Sequence, residues 1–121
     1  MDEKSIKGIA KEIHQLSRKA RTGTLAKEDM EDGTFTVNNT GSFGSVESMG
    51  VINYPQAAIL QVESIVKRPV IIDDMFAARD MVNLCLSLDH RVLDGGVICG
   101  AFMSHVKSIL ENISSDTTPI Y

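Results

Sequence analysis

Apolar positions along the chain fall into two helical stripes separated by short runs of strand character. Ile6, Ile9, Ala10, Ile13, Leu16, Ser17 and Ala20 recur at helical period, while Glu3, Lys4, Lys11, Glu12, Arg18 and Lys19 face away. This predicts an amphipathic helix, ended at Thr22-Gly23 because glycine is the common exit residue. His14 lies beside the stripe and reads as a solvated edge histidine. In the connector over 24–33, Lys27-Glu28-Asp29-Met30 is expected to make one helical turn before Asp32-Gly33. Thr34 to Asn39, rich in Thr, Phe and Val, reads as a strand. The next segment, 40–50, holds three glycines and three serines. A chain this short does not divide into two cores, so the segment is read as an ordered active-site loop whose glycines let backbone approach a ligand, not as a linker.

Ala57 to Val66 alternates as one strand, with Ala58, Leu60, Val62 and Ser64 on one face and Ala57, Ile59, Gln61, Glu63 and Ile65 on the other. Lys67-Arg68-Pro69 is expected to break it. Val70-Ile71-Ile72 and Phe76-Ala77-Ala78 flank Asp73-Asp74-Met75, the pattern of a tight hairpin. Met81 to Leu88 alternates again, as a half-buried strand does. Val97, Ile98, Ala101, Phe102, Val106, Ile109, Leu110 and Ile113 form the second helical stripe, and the polar stretch 114–121 reads as a frayed tail. The order helix, strand, strand, hairpin, strand, helix predicts an α/β two-layer sandwich, its sheet mixed or antiparallel, with flanking helices.

Composition narrows the possibilities. At 121 residues, with 43% hydrophobic and 23% charged positions, the chain is that of one ordinary soluble domain without repeats, and no apolar run is long enough to span a bilayer. Met1-Asp2-Glu3-Lys4 leads into the first stripe without the apolar segment of a signal peptide. The net charge of −4, with basic residues interleaved among acids, argues against nucleic-acid binding. Cys85 and Cys99 sit among aliphatic neighbours and read as reduced core residues, which together imply a cytoplasmic protein.

The chemistry concentrates between the last strand and the last helix. Asp89, His90, Arg91 and Asp94 interrupt the apolar pattern at a strand-to-helix corner, where a side chain is held rigidly and still reaches a ligand. A free imidazole ionises near pH 6.5, so His90 suits proton transfer near neutrality, with Asp94 four residues on to order the loop. The same residues also fit a plain capping corner, with Asp94 or Gly95 starting the helix and His90 and Arg91 pairing with nearby acceptors. Spacing alone supports both readings. One His and two Asp lack the second ligand cluster that a metal site would need.

Asp89-His90-Arg91-Val92-Leu93-Asp94-Gly95 resembles the D-H-R-x-x-D-G signature of the dihydrolipoamide acyltransferases, the core components of 2-oxo acid dehydrogenase complexes. Gly33-Thr34-Phe35-Thr36-Val37-Asn38-Asn39-Thr40-Gly41 resembles that family's G-T-F-T-[IL]-S-N-x-G, and Val51 to Leu60 resembles its V-I-N-x-P-[EQ]-x-A-I-L. The three blocks occur in family order, and in appearance the branched-chain type is the nearest branch. The resemblance implies a fold like that of chloramphenicol acetyltransferase, with residues 1–121 as roughly the C-terminal half of the catalytic domain.

The activity implied is transfer of an acyl group between the thiols of dihydrolipoamide and coenzyme A. His90 is then the general base, Asp94 orders the corner with Arg91 as its companion, and Asn38 stands where the family commonly has the serine that holds the oxyanion. Coenzyme A is implied as a substrate, with its binding residues unassigned, and the lipoyl group comes from a domain this chain does not contain. The implied partners are copies of the chain in trimer-based oligomers, the lipoyl domain and the other components of the dehydrogenase complex. The family's active site lies between subunits, His and oxyanion donor coming from different chains. The alternative is a truncated core that associates without turnover, since surface left uncovered by a missing half favours self-association.

Overall fold

The computed structural model describes residues 3–114, 116 and 118. Residues up to Gly33, together with those from Ser104 on, make one compact unit, and Thr34–Met103 makes a second.

In the first unit α1 spans Ile6–Thr22 as predicted. Ser5 caps it, the hydroxyl accepting the Gly8 N–H at 3.2 Å. Gly23 ends it in the left-handed conformation at φ 67°, with its own N–H on the Ala20 carbonyl and the Thr24 N–H on that of Lys19. Lys27–Asp29 form the expected short turn, tied back to α1 by the Lys19–Asp29 ion pair at 2.8 Å. His14 is exposed. No residue of α1 is buried; Ile6 and Ile13 of its apolar stripe lie open. Of the tail read as frayed, only Ser114, Asp116 and Thr118 belong to the described residues, and the rest of it lies outside them.

The second unit holds five strands: β1 (Thr36–Asn39), β2 (Ala58–Val62), β3 (Val66–Ile72), β4 (Met75–Met81) and β5 (Leu84–Leu88). They form a mixed three-stranded sheet in the order β1-β2-β5 and a separate β3-β4 ribbon. β1 runs parallel to β2 with Asn38 opposite Gln61, and β5 runs antiparallel with Leu88 opposite Ala58. A parallel pair requires a long connection, which residues 40–57 supply. The core centres on β2, where Ala58, Ile59, Leu60 and Gln61 are buried in succession, so both faces of the strand are covered. Phe35 and Phe102 meet edge to face at a centroid distance of 6.0 Å.

Several boundaries differ from the sequence expectation: β1 begins at Thr36 and not at Thr34, and Met75, expected in the turn, is the first residue of β4. The strand expected over 57–66 stops at Val62, because the backbone of the next residues is claimed elsewhere: Glu63 N–H goes to the Asn83 carbonyl at 3.2 Å and Ser64 N–H to that of Ser45 at 2.7 Å. Met81 belongs to the hairpin, opposite Val66, so β5 begins only at Leu84. Lys67-Arg68-Pro69 does not break the chain but lies inside β3. The hairpin turn is the two residues Asp73 and Asp74, both at positive φ, so Ile72 and Met75 form its hydrogen-bonded closing pair. Counting back from that pair, Pro69 and Ala78 form a non-bonded pair, where a missing N–H costs no ladder bond.

The Gly/Ser-rich loop is ordered by a buried carboxylate. Glu63, 2% exposed, accepts from the Thr40 hydroxyl at 2.8 Å and from the Ser48 hydroxyl. Ser64 Oγ donates to the Gly41 carbonyl and Asn83 Nδ2 to the Val46 carbonyl, both at 2.7 Å. Gly41 lies so close to this link that a Cβ there would stand 2.4 Å from the Glu63 carbonyl carbon and oxygen. Gly41→Ala is therefore expected to destabilise the protein by about 1–3 kcal/mol, read as a lowered urea midpoint at unchanged slope.

Candidate active site

β5 delivers the chain to the corner. Beyond Leu88 the Asp89 N–H donates to the Ala57 carbonyl at 2.8 Å, which adds one more rung to the sheet. The Asp89 carbonyl then accepts from both Val92 and Leu93 at 3.0 Å and turns the chain sharply. The Asp89 carboxylate takes the Arg91 guanidinium on two sides, Nε at 2.9 Å on Oδ1 and Nη2 at 2.6 Å on Oδ2, along with the Arg91 backbone N–H at 3.0 Å. This fork is charge-assisted. Its side-chain bonds to Arg91, followed by the backbone bond, hold the Asp89 carboxyl down at about 2 and push the Arg91 guanidinium above its ordinary value.

The sequence reading paired Arg91 with Asp94, and the structure corrects this. Asp94 Oδ1 is committed to the N–H groups of Gly96 at 2.8 Å and Val97 at 3.0 Å, whereas Asp89 lies two residues from Arg91 within the same turn. Asp94 is the N-cap of the final helical segment, as the capping reading expected. That segment opens as a π turn over Gly95–Cys99, closed by the Cys99 N–H on the Asp94 carbonyl at 3.1 Å, before α2 runs over Gly100–Glu111. Such widened turns are frequent at functional sites. Cys99 is buried within it and Cys85 half-buried in β5, both with free thiols.

His90 projects from between the two pinned aspartates. Its side chain is exposed, and among the described residues neither ring nitrogen has a hydrogen-bond partner, so the pairing expected of it on the capping reading is not seen. The ring rests against Gly95, where a Cβ would stand 3.0 Å from Nε2. The corner thus presents an exposed imidazole on a turn pinned at Asp89 and Asp94.

Asn38 lies elsewhere. It is exposed on β1, opposite Gln61, whereas β5 ends opposite Ala58, three residues back along β2 and about 10 Å away. His90 lies beyond that end, so one chain does not bring Asn38 and His90 together. Beside Asn38 on the same sheet face, Gln61 Oε1 is buried with no hydrogen-bond partner among the described residues. Glu63, on that face too, is the organising residue that the sequence reading missed. Hydrogen bonding from Ser48 outweighs burial and, with smaller help from Thr40, Ser45 and Cys85, holds its carboxyl below the ordinary value. Alternation with Gln61 placed it on a face but carried no sign that the face was covered.

The Asp89–Arg91 fork has a testable acid dependence. An unfolded aspartate ionises near 3.9, above the value of about 2 in the fold, so the fork stabilises the native state fully above pH 4 and loses that contribution as pH falls from about 4 to 2. Arg91→Met is expected to show its stability deficit against wild type at pH 6 and to lose it progressively below pH 4, as measured by urea unfolding.

The family profile for the 2-oxoacid dehydrogenases acyltransferase (catalytic domain) matches residues 1–116. The lipoamide acyltransferase component of the branched-chain alpha-keto acid dehydrogenase complex of Bacillus subtilis is 70% identical over 118 residues, which are 97% of this chain and 28% of that protein. A solved probable dihydrolipoamide acetyltransferase from Listeria monocytogenes superposes with a TM-score of 0.94 at 69% identity, over 99% of this chain and 51% of the solved one. The dihydrolipoamide acetyltransferase of Azotobacter vinelandii, solved in work on a serine, a histidine and an asparagine in its catalytic mechanism, gives 0.87 at 33% identity, over 92% of this chain and 45% of its own. The chain thus spans just over a quarter of the Bacillus protein and about half of each solved one. By motif, by fold and by these likenesses, the chain belongs to the acyltransferase (catalytic domain) family of the 2-oxoacid dehydrogenases.

Proposed function

We propose that this chain carries the residues for acyl transfer between dihydrolipoamide and coenzyme A, as part of a 2-oxo acid dehydrogenase complex of the branched-chain type. The observation that carries the reading is the corner itself: a partnerless, exposed His90 held between a forked Asp89 and a capping Asp94. Spacing supports it further. The serine, histidine and asparagine named for the Azotobacter enzyme are separated by 52 and then four residues, as are Asn38, His90 and Asp94.

Only a few per cent of a free thiol is thiolate near neutral pH, so a positioned base contributes roughly 10²–10⁴-fold. His90 takes the proton from the thiol of coenzyme A as its sulfur attacks the thioester carbonyl of the acyl-dihydrolipoamide. The carbonyl oxygen becomes an oxyanion, to which Asn38 Nδ2–H donates. Collapse expels the dihydrolipoamide thiolate, and that sulfur takes the proton back from His90. Asp94 holds the corner and moves no proton.

Since Asn38 and His90 stand apart within one chain, the working site is formed between copies, His90 from one and Asn38 from the next. The exposed apolar side chains Ile6, Ile13, Ile109 and Leu110 on helices without buried residues favour association. They equally favour the second reading, a core that associates without turnover. The test is complementation. Chains carrying His90→Ala and chains carrying Asn38→Ala should each be nearly inactive alone, and co-refolding the two should restore part of the wild-type rate. No recovery on mixing would exclude a shared site, and a folded, oligomeric but inactive wild type would leave the second reading.

A further inference from the structure

We propose that Glu63 is a positioning residue for Asn38, an inference that rests on Asn38 being the oxyanion donor. β1 is only four residues long, lies at the edge of its sheet and, among the described residues, pairs with β2 alone. Directly after it comes a loop with glycines at 41, 44 and 50, a composition that by itself specifies no fixed path. An oxyanion donor on such an end is of little use unless something fixes it, because preorganisation is the source of its effect and a displacement of about 1 Å can cost about a hundredfold.

Glu63 supplies the fixing. Thr40, two residues after Asn38, continues the ladder with its N–H on the Val62 carbonyl at 3.1 Å and gives its hydroxyl to Glu63 Oε2 at 2.8 Å. Ser48, near the other end of the loop, gives its hydroxyl to Oε1 of the same carboxylate. One buried anion therefore closes the loop on itself and fastens it to the end of β2. The loop returns over the same sheet face that carries Asn38: a Cβ at Gly50 would meet Ile59 Cγ2 at 2.8 Å and Gln61 Nε2 at 2.4 Å, and Gln61 is the strand neighbour of Asn38. A carboxylate suits this place because it accepts from both hydroxyls at once. A glutamine keeps one oxygen acceptor and the volume, while an alanine keeps neither.

The test uses Glu63→Gln, Glu63→Ala and Thr40→Val, the last removing the single hydroxyl on the β1 side while leaving Ser48 bound. Glu63→Ala and Thr40→Val are expected to lower kcat for acyl transfer at least about tenfold with KM for the acyl donor changed less than about twofold, and Glu63→Gln to recover most of the loss. On an Asn38→Ala background the same substitutions should cost no more than about twofold further. Amide hydrogen exchange at Asn38 and at position 40, whose N–H groups face β2, should quicken at least about tenfold in Thr40→Val while the centre of β2 stays protected. Losses that multiply with that of Asn38→Ala, or unchanged exchange at positions 38 and 40 in Thr40→Val, overturn the proposal. If Asn38→Ala itself leaves kcat intact while His90→Ala does not, it is the oxyanion assignment that fails. If wild type shows no turnover, the exchange measurement alone decides whether Glu63 fixes the end of β1.

Discussion

His90→Ala should lower acyl transfer from an acyl-dihydrolipoamide to coenzyme A by at least about a hundredfold and leave the folded chain intact, the scale expected for a lost general base. Both halves of this expectation come from the corner's geometry. The imidazole is exposed and has no hydrogen-bond partner among the described residues, so removing it strands no buried group and opens no cavity. Surface substitutions of that kind fall within about 0.5 kcal/mol. The turn is built by the Asp89 backbone, the Asp89–Arg91 fork and the Asp94 cap, none of which needs the ring. A loss of rate at unchanged urea midpoint assigns His90 to chemistry; an equal loss of stability would return the corner to a purely capping role.

Asn38→Ala should cost about 10²–10³-fold in kcat, the usual consequence of removing one oxyanion donor, with KM little affected. Asn38→Ser should do much better than alanine, since a hydroxyl offers the same kind of donor on a shorter side chain. As an exposed residue at a sheet edge, Asn38 has little to lose in stability when truncated. If both variants retained the wild-type kcat, the oxyanion would be held by some other group and the match of spacing to the Azotobacter enzyme would have no chemical content at this position.

Local signals in the sequence were reliable where one residue decides the outcome. Gly23 ends α1, a tight turn falls at Asp73-Asp74, though without the Met75 expected in it, and Asp94 caps the last helical segment, each through its own backbone or carboxylate. Asn38, His90 and Asp94 were legible as motif residues, but the distance separating Asn38 from His90 was not, because it depends on which strand lies between them and in which direction each runs. Period-two alternation says which face a residue occupies and nothing of where pairing stops. Alternation therefore carries the strand expected over 57–66 past Val62 and groups Met81 with the residues of β5, although the hairpin holds it. Pro69 read as a breaker because a sequence does not reveal whether a strand has a free edge. Glu63 is the deepest case: a charge in an alternating run suggests solvent, and the hydroxyls of Thr40 and Ser48, 23 and 15 residues away, with smaller help from Ser45 and Cys85, make its burial tolerable.

The β3-β4 ribbon bears on how the protein keeps clear of its own kind while folding. Among the described residues neither of its outer edges is paired, and an open edge is a template for adding a foreign strand. On the outer edge of β3 the ring of Pro69 offers no donor, and Lys67, Arg68, Arg79 and Asp80 are all exposed at the end far from the turn, so an incoming strand meets charge and a gap in its ladder there. Beside the turn the guard is absent: Ile71 and Phe76 face each other across the ribbon and stand open to solvent. Aggregation in concentrated or heated solution would thus nucleate at the tip of the ribbon, and a single lysine in place of Ile71 would extend the existing protection to it.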